Sequence, residues 1–185
     1  EMLHEGEAGG EDYPAGSRAL LHPPDDAEPP GEVLGPLADF VRTDPAYQNA
    51  LEAALRPWLD ALVVRDPESA TAMIGWLRRG EHGSARLLCV DGPEAQPDPP
   101  GLPGRALSEC VTCEPHALPL LRRLLRGIRL VDDLPDRPRD LPAGAVAVTR
   151  DGCLLSGRGE AELWMPREDQ ASPVARRHLR ESLER

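Results

Sequence analysis

The sequence predicts an α+β (mixed α/β) chain built as two lobes. Three observations carry that prediction. Asp-Pro pairs at 44–45 and 66–67 each open an apolar stripe of helical period. A short run rich in Val or Leu follows each stripe, as a buried strand would. The same alternation of helix and strand restarts after a proline-rich stretch at 91–104.

Residues 1–12 and 22–32 are poor in apolar side chains and rich in Gly, Pro, Asp and Glu, which predicts irregular structure. Between them, 13–21 has room for one or two helical turns. Asp44 then reads as an N-cap with Pro45 in the first helical position. Tyr47, Ala50, Leu51, Ala54 and Leu55 fall on one face of the helix that follows, and Pro57 stops it. Ala61–Val64 reads as a buried strand. Asp66-Pro67 repeats the capping device; Ala70, Met73, Ile74 and Leu77 repeat the stripe, and Gly80 ends it. A strand is expected at 86–90, and then the proline-rich stretch as a linker or exposed excursion. Beyond it come a strand at 107–113, a leucine-rich helix at about 116–126, and strands at 128–131, 145–149 and 153–156. Asp151-Gly152 supplies a hairpin turn between the last two. Ser172-Pro173 caps a polar final helix whose apolar side chains are Val174, Leu179 and Leu183; it reads as the start of a longer arm.

Charge is unevenly spread. The net charge is −11, yet residues 1–32 hold nine acids against Arg18 alone, leaving the rest close to balance. Every basic residue other than histidine is arginine. Aromatics are 3% of the chain, too few for stacking platforms that hold single-stranded nucleic acid. No apolar run approaches the roughly 18 residues that cross a bilayer, so a cytoplasmic protein with no membrane partner is expected. Cys89, Cys110, Cys113 and Cys153 are too few for a disulfide scaffold and read as small buried apolar residues.

Several stretches together resemble one family. Gly31–Val41, with its Val33-Leu34-Gly35 core, is similar to the opening of the flexible hinge domain of SMC (structural maintenance of chromosomes) proteins. Tyr47–Leu55 followed by Leu59–Val64 resembles that family's next helix and strand, as do 70–77 and 85–88 after them. Val131-Asp132-Asp133-Leu134, Val148-Thr149-Arg150-Asp151-Gly152 and Ser156-Gly157-Arg158-Gly159 complete the pattern in the family's order, and 13–20 resembles the end of an incoming coiled coil. One departure stands out. Where the family carries a Gly-Gly pair beyond the Ser-Gly-Arg-Gly segment, this chain has Glu160-Ala161-Glu162-Leu163-Trp164.

The resemblance implies an SMC-hinge-like, two-lobed domain that dimerises into a ring, with coiled-coil stubs at its termini. The implied divisions are an arm at 1–30, lobe I at 31–104, lobe II at 105–165 and the outgoing helix from 166. The implied function is homodimerisation of a chromosome-organising, condensin-type ATPase that acts in chromosome condensation and segregation. The parent protein would carry ATPase heads and accessory subunits and associate with the nucleoid. No Walker-type loop is present, so the chain is expected to be neither an enzyme nor a cofactor binder. The expected dimer interface comprises Ser156, Gly157, Arg158, Gly159, Leu163 and Trp164, facing the 85–113 region of the other copy.

Weak DNA contact is the second expectation. Arg122, Arg123, Arg126 and Arg129 surround a segment without acids, and Arg122, Arg126 and Arg129 share a face at helical spacing. Arg176, Arg177 and Arg180 form a second cluster on the final helix. A solvated helix face is the plainer reading of the first cluster, and more so of the second, because the rest of the chain is acidic. A third reading, a small thiol or metal enzyme using Cys110 and Cys113, lacks the further ligands that zinc requires; no metal is expected. Asp132-Asp133 reads as a turn.

Overall fold

Both Asp-Pro pairs act as helix starts in the computed structural model, which describes residues 13–166. Asp44 Oδ1 accepts from the Ala46 amide at 2.8 Å and Asp66 Oδ1 from the Ser69 amide at 2.7 Å. In chain order the elements are α1 (Ala15–Leu21), β1 (Val33–Pro36), β2 (Val41–Thr43), α2 (Gln48–Leu55) and β3 (Leu62–Val64). Then come α3 (Pro67–Arg79), β4 (Leu87–Cys89), β5 (Arg105–Ala106), β6 (Val111–Cys113) and α4 (Leu118–Leu124). The last strands are β7 (Ile128–Leu130), β8 (Val146–Val148), β9 (Cys153–Ser156) and β10 (Ala161–Leu163).

The chain folds into two units, each made of two separate stretches. The first takes the described residues up to Leu37 together with Asp60–Gly92. Its sheet has the order β1-β3-β4, with β1 antiparallel and β4 parallel to the central β3. Leu62, Val64, Met73, Leu77 and Leu20 form its core, so α1 and α3 both bury their apolar faces there.

The second unit takes Ala38–Leu59 and, among the described residues, the chain from Pro93. Its main sheet has the order β10-β9-β8-β7-β5; only β7 and β8 run parallel. β2 and β6 form a separate antiparallel ribbon, which ties Val41–Thr43 to Val111–Cys113. α2 packs on β8 and β9. Segment 38–59, placed in the first lobe by sequence order, thus sits in the second unit because its strand and helix both find their partners there.

Three expectations about elements are corrected. The strand expected at 107–113 is a 3-10 turn at Leu107–Cys110, which buries Leu107, followed by β6 in the ribbon, while β5 just before it stays in the five-stranded sheet. A chain that changes sheets must break its ladder. The helix at 116–126 is a 3-10 turn followed by α4, which closes at Leu124. Finally, α2 is buried on all sides rather than along one stripe; Ala50–Leu55 are all buried, including Glu52. The final helix from Ser172 lies outside the described residues.

Candidate functional site

β10 is the last strand of the main sheet, and among the described residues its outer edge has no partner strand. Such an edge is a template for another chain unless it is blunted. Alternation along an extended backbone sends successive side chains to opposite faces. Leu163 and Met165 therefore share one face, and they are 55% and 66% exposed. Glu162 and Trp164 share the other. Glu162 pairs with Arg56, just beyond α2, and the Trp164 indole Nε1 donates to Glu52 Oε2 at 2.8 Å. The Arg56 guanidinium lies 5.0 Å over the Trp164 ring. The Trp164 amide donates to Gly152 O at 2.8 Å, so the chain beyond β10 is bound to the Asp151-Gly152 hairpin turn.

The six residues expected at the interface divide into two groups. Arg158, Gly159 and Leu163 are exposed. Ser156 is buried and accepts from the Arg158 amide at 3.1 Å, Trp164 is engaged with Glu52, and Gly157 serves a close approach within the chain. A Cβ on Gly157 would lie 2.5 Å from Pro142 O. Met165, exposed beside Leu163, is an addition to that set, and the unbroken apolar run Leu163-Trp164-Met165 gave no sign of which side chain would be uncovered.

The arginine stripe has a different geometry from the one expected. Because α4 stops at Leu124, Arg126 lies in the turn and Arg129 on β7; the shared helix face does not form. Arg126 Nε donates to Gln96 O and Pro97 O, both at 3.2 Å. Arg129 Nε donates to Pro103 O at 3.2 Å, and its guanidinium also reaches Gly104 O and, at 3.3 Å, Asp98 Oδ2. Asp98 Oδ1 accepts from the Gly127 amide at 2.8 Å. These two arginines therefore clip the proline-rich strap at 93–104 to the start of β7. Arg122 is exposed, Arg123 is half-buried, and Arg176, Arg177 and Arg180 lie outside the described residues.

Cys110 ends the 3-10 turn and Cys113 ends β6; both are half-buried. Burial pushes the Cys113 thiol up, against the opposing pull of the Arg122 charge. A thiol held protonated is a poor nucleophile and a poor metal ligand. Among the described residues no three His, Cys, Asp or Glu side chains gather as a metal site. Asp132 and Asp133 follow β7 in a turn and line an open cleft of about 420 Å³ with Tyr47, Arg105 and Arg150. Arg105 is held by Glu109 at 3.2 Å, and Arg150 lies 5.3 Å over the Tyr47 ring.

Comparison with known proteins agrees with this architecture. Residues 30–136 match the family model of the SMC proteins flexible hinge domain. The chain is 28% identical over 145 residues to the chromosome partition protein Smc of Myxococcus xanthus, covering 69% of this chain and 12% of that protein. It is 32% identical over 128 residues to the Smc of Mycolicibacterium paratuberculosis, covering 66% of this chain and 11% of that one. An asymmetric dimer of the Geobacillus stearothermophilus SMC hinge domain shares the fold, with a TM-score of 0.75 at 22% identity over 94% of this chain and 73% of that one. The chain thus spans about an eighth of the length of the Smc relatives it matches. No helix among the described residues is long and apolar enough to cross a membrane.

Proposed function

The chain belongs to the SMC flexible hinge family, and from that premise we propose that it is the homodimerisation hinge of a chromosome-organising SMC ATPase. In this reading it joins two coiled-coil arms, and the ATPase heads and accessory subunits belong to other parts of the parent assembly at the nucleoid. The observation that carries the reading is the open β10 edge with Leu163 and Met165 uncovered beside it. A strand edge flanked by exposed apolar side chains is stabilised by a second copy, and a two-fold arrangement closes without leaving a free edge to polymerise. The 85–113 region supplies the partner surface; it includes β4, whose outer edge is likewise unpaired among the described residues.

A stable interface of this kind buries on the order of 1,200–2,000 Å². The mass of the 185-residue chain in solution, followed across a dilution series, tests the proposal. Dimer persisting into the low micromolar range is expected, and Leu163→Arg with Met165→Arg should yield monomer. A wild-type chain that is monomeric at high micromolar concentration would overturn the reading. Contact with DNA is a second, weaker activity in this proposal, favoured by the exposure of Arg122 on a segment without acids.

A further inference from the structure

Glu52 is the one acidic side chain in the described residues that is fully buried. Removing a carboxylate from water is costly, and the cost is offset only by donors at hydrogen-bonding distance. Glu52 has them. Gln48 Nε2 donates to Oε1 at 3.2 Å from one turn earlier on α2, and the Trp164 indole donates to Oε2 at 2.8 Å from 112 residues away. Nothing in the dimer reading uses this carboxylate directly.

We propose that Glu52 is a positioning residue: a buried latch that fixes the register of β10 and thereby turns Leu163 and Met165 outward for the second copy. The proposal rests on the dimerisation reading above. The physical reason lies in the period of two along a strand, because a slip of one residue exchanges its faces. Were the strand to slip one way, Leu163 would meet Glu52 and offer it no donor; the other way, Met165 would do the same. A slip of two residues brings either Glu162, a like charge, or Pro166, which has no N–H. Of the residues within two positions, Trp164 alone carries a side-chain donor and an apolar body to match a site on α2.

Two further contacts reinforce the same register. Arg56, eight residues from Gln48 and just past the end of α2, pairs with Glu162 and covers the Trp164 ring. Gly152 lies close beneath the same strand end: its carbonyl accepts the Trp164 amide, and a Cβ there would sit 2.2 Å from Trp164 O. The anchored residues 162 and 164 and the uncovered residues 163 and 165 thus follow from one arrangement. A helix buried on all sides is a rigid base for it.

The test compares Glu52→Gln, Glu52→Met, Trp164→Phe and Arg56→Ala in the full 185-residue chain. Dimer dissociation constants come from dilution, and hydrogen exchange is read over residues 161–165. Gln keeps an acceptor of the same length, so Glu52→Gln should dimerise within about threefold of wild type. Glu52→Met and Trp164→Phe each remove the indole bond and should weaken the dimer by about tenfold or more. Exchange at 161–165 should quicken in both, with the remaining strands protected as in wild type. Arg56 is half-exposed, so Arg56→Ala should leave the fold intact and weaken the dimer by a smaller factor.

Dimer constants unchanged in both Glu52→Met and Trp164→Phe would overturn the latch while leaving the dimer intact. Should the wild type itself be monomeric, the dimer reading fails instead, and exchange decides the latch alone. Faster exchange at 161–165 in the two variants then supports it, and wild-type protection rejects it.

Discussion

Asp66 accepts the Ser69 amide at 2.7 Å and the Ser69 hydroxyl at 3.0 Å, and these bonds hold its carboxyl below the usual carboxylate range. A group whose acidity is raised by folding stabilises the fold above its unfolded value, about 3.9, and ceases to do so as pH falls through the folded value. Asp66→Ala should therefore lower the melting temperature at pH 7, and the gap to wild type should narrow as pH falls below the unfolded value of about 3.9. A constant gap down to pH 2 would show that the cap acts without its charge. Gly157 offers a second test at this scale. Its missing Cβ is required by Pro142 O and its amide donates to Ala145 O at 2.9 Å, so Gly157→Ala should destabilise the chain itself. The loss should be independent of protein concentration. Gly159 has φ +94° and nothing within 4 Å of a Cβ, so Gly159→Ala should cost only the backbone strain, about 1–2 kcal/mol. Comparing the two by thermal melts at two concentrations separates strain within the chain from any effect on dimerisation.

Elements whose signals are local were legible in the sequence; those defined by distant partners were not. The Asp-Pro caps, the end of α3 at Gly80 and the Asp151-Gly152 turn each need only a few neighbouring residues, and each stands where the pattern put it; the α3 stripe holds at Met73 and Leu77, while Ile74 is exposed. β2 and β10 are three residues long, with the sequences Val-Arg-Thr and Ala-Glu-Leu, and neither shows a period. β2 exists because Val111–Cys113 lies beside it, some 70 positions along the chain. The same blindness affected the site. Leu163 and Trp164 were singled out, but Glu52 was hidden among helical core positions, since periodicity ranks residues by hydropathy and says nothing of a donor 112 residues away. The strap at 93–104 is another case: its composition indicates an excursion, while its attachment depends on Asp98, Arg126 and Arg129. Asp98→Ala removes both the Gly127 and the Arg129 contacts of that carboxylate. The expected outcome is faster proteolytic nicking within 93–104, with the melting temperature of the remainder little changed. Nicking at the wild-type rate would mean that the carbonyl contacts of the two arginines suffice.

At the scale of the whole molecule, the proposed DNA contact sets a few arginines against a larger acidic excess. Residues 1–32 carry nine acids and one arginine, and this charge acts over about a Debye length, roughly 8 Å at physiological salt. Arg126, through its Nε, and Arg129 are bonded to the strap and so have fewer donors left for phosphates. That leaves Arg122 on α4 as the exposed candidate, with Arg123 beside it and the 176–180 cluster by sequence. Neutralising two to four phosphates would give a log–log salt slope of about −2 to −4, and micromolar or poorer affinity at physiological salt is the expected outcome. Titration of labelled duplex DNA at several salt concentrations should therefore show steep strengthening as salt falls. Arg122→Glu should weaken binding throughout and flatten the slope by about one to two. Deleting residues 1–12 removes five acids and no arginine, so it should strengthen binding at low salt, where the Debye length is longer, more than at high salt. Asp98→Ala should strengthen binding by releasing the Arg129 guanidinium from its ion pair, whereas the same change combined with Arg129→Gln should not. Equal affinity for wild type and Arg122→Glu, or binding that ignores salt, would reduce these arginines to a solvated helix face and a strap clip.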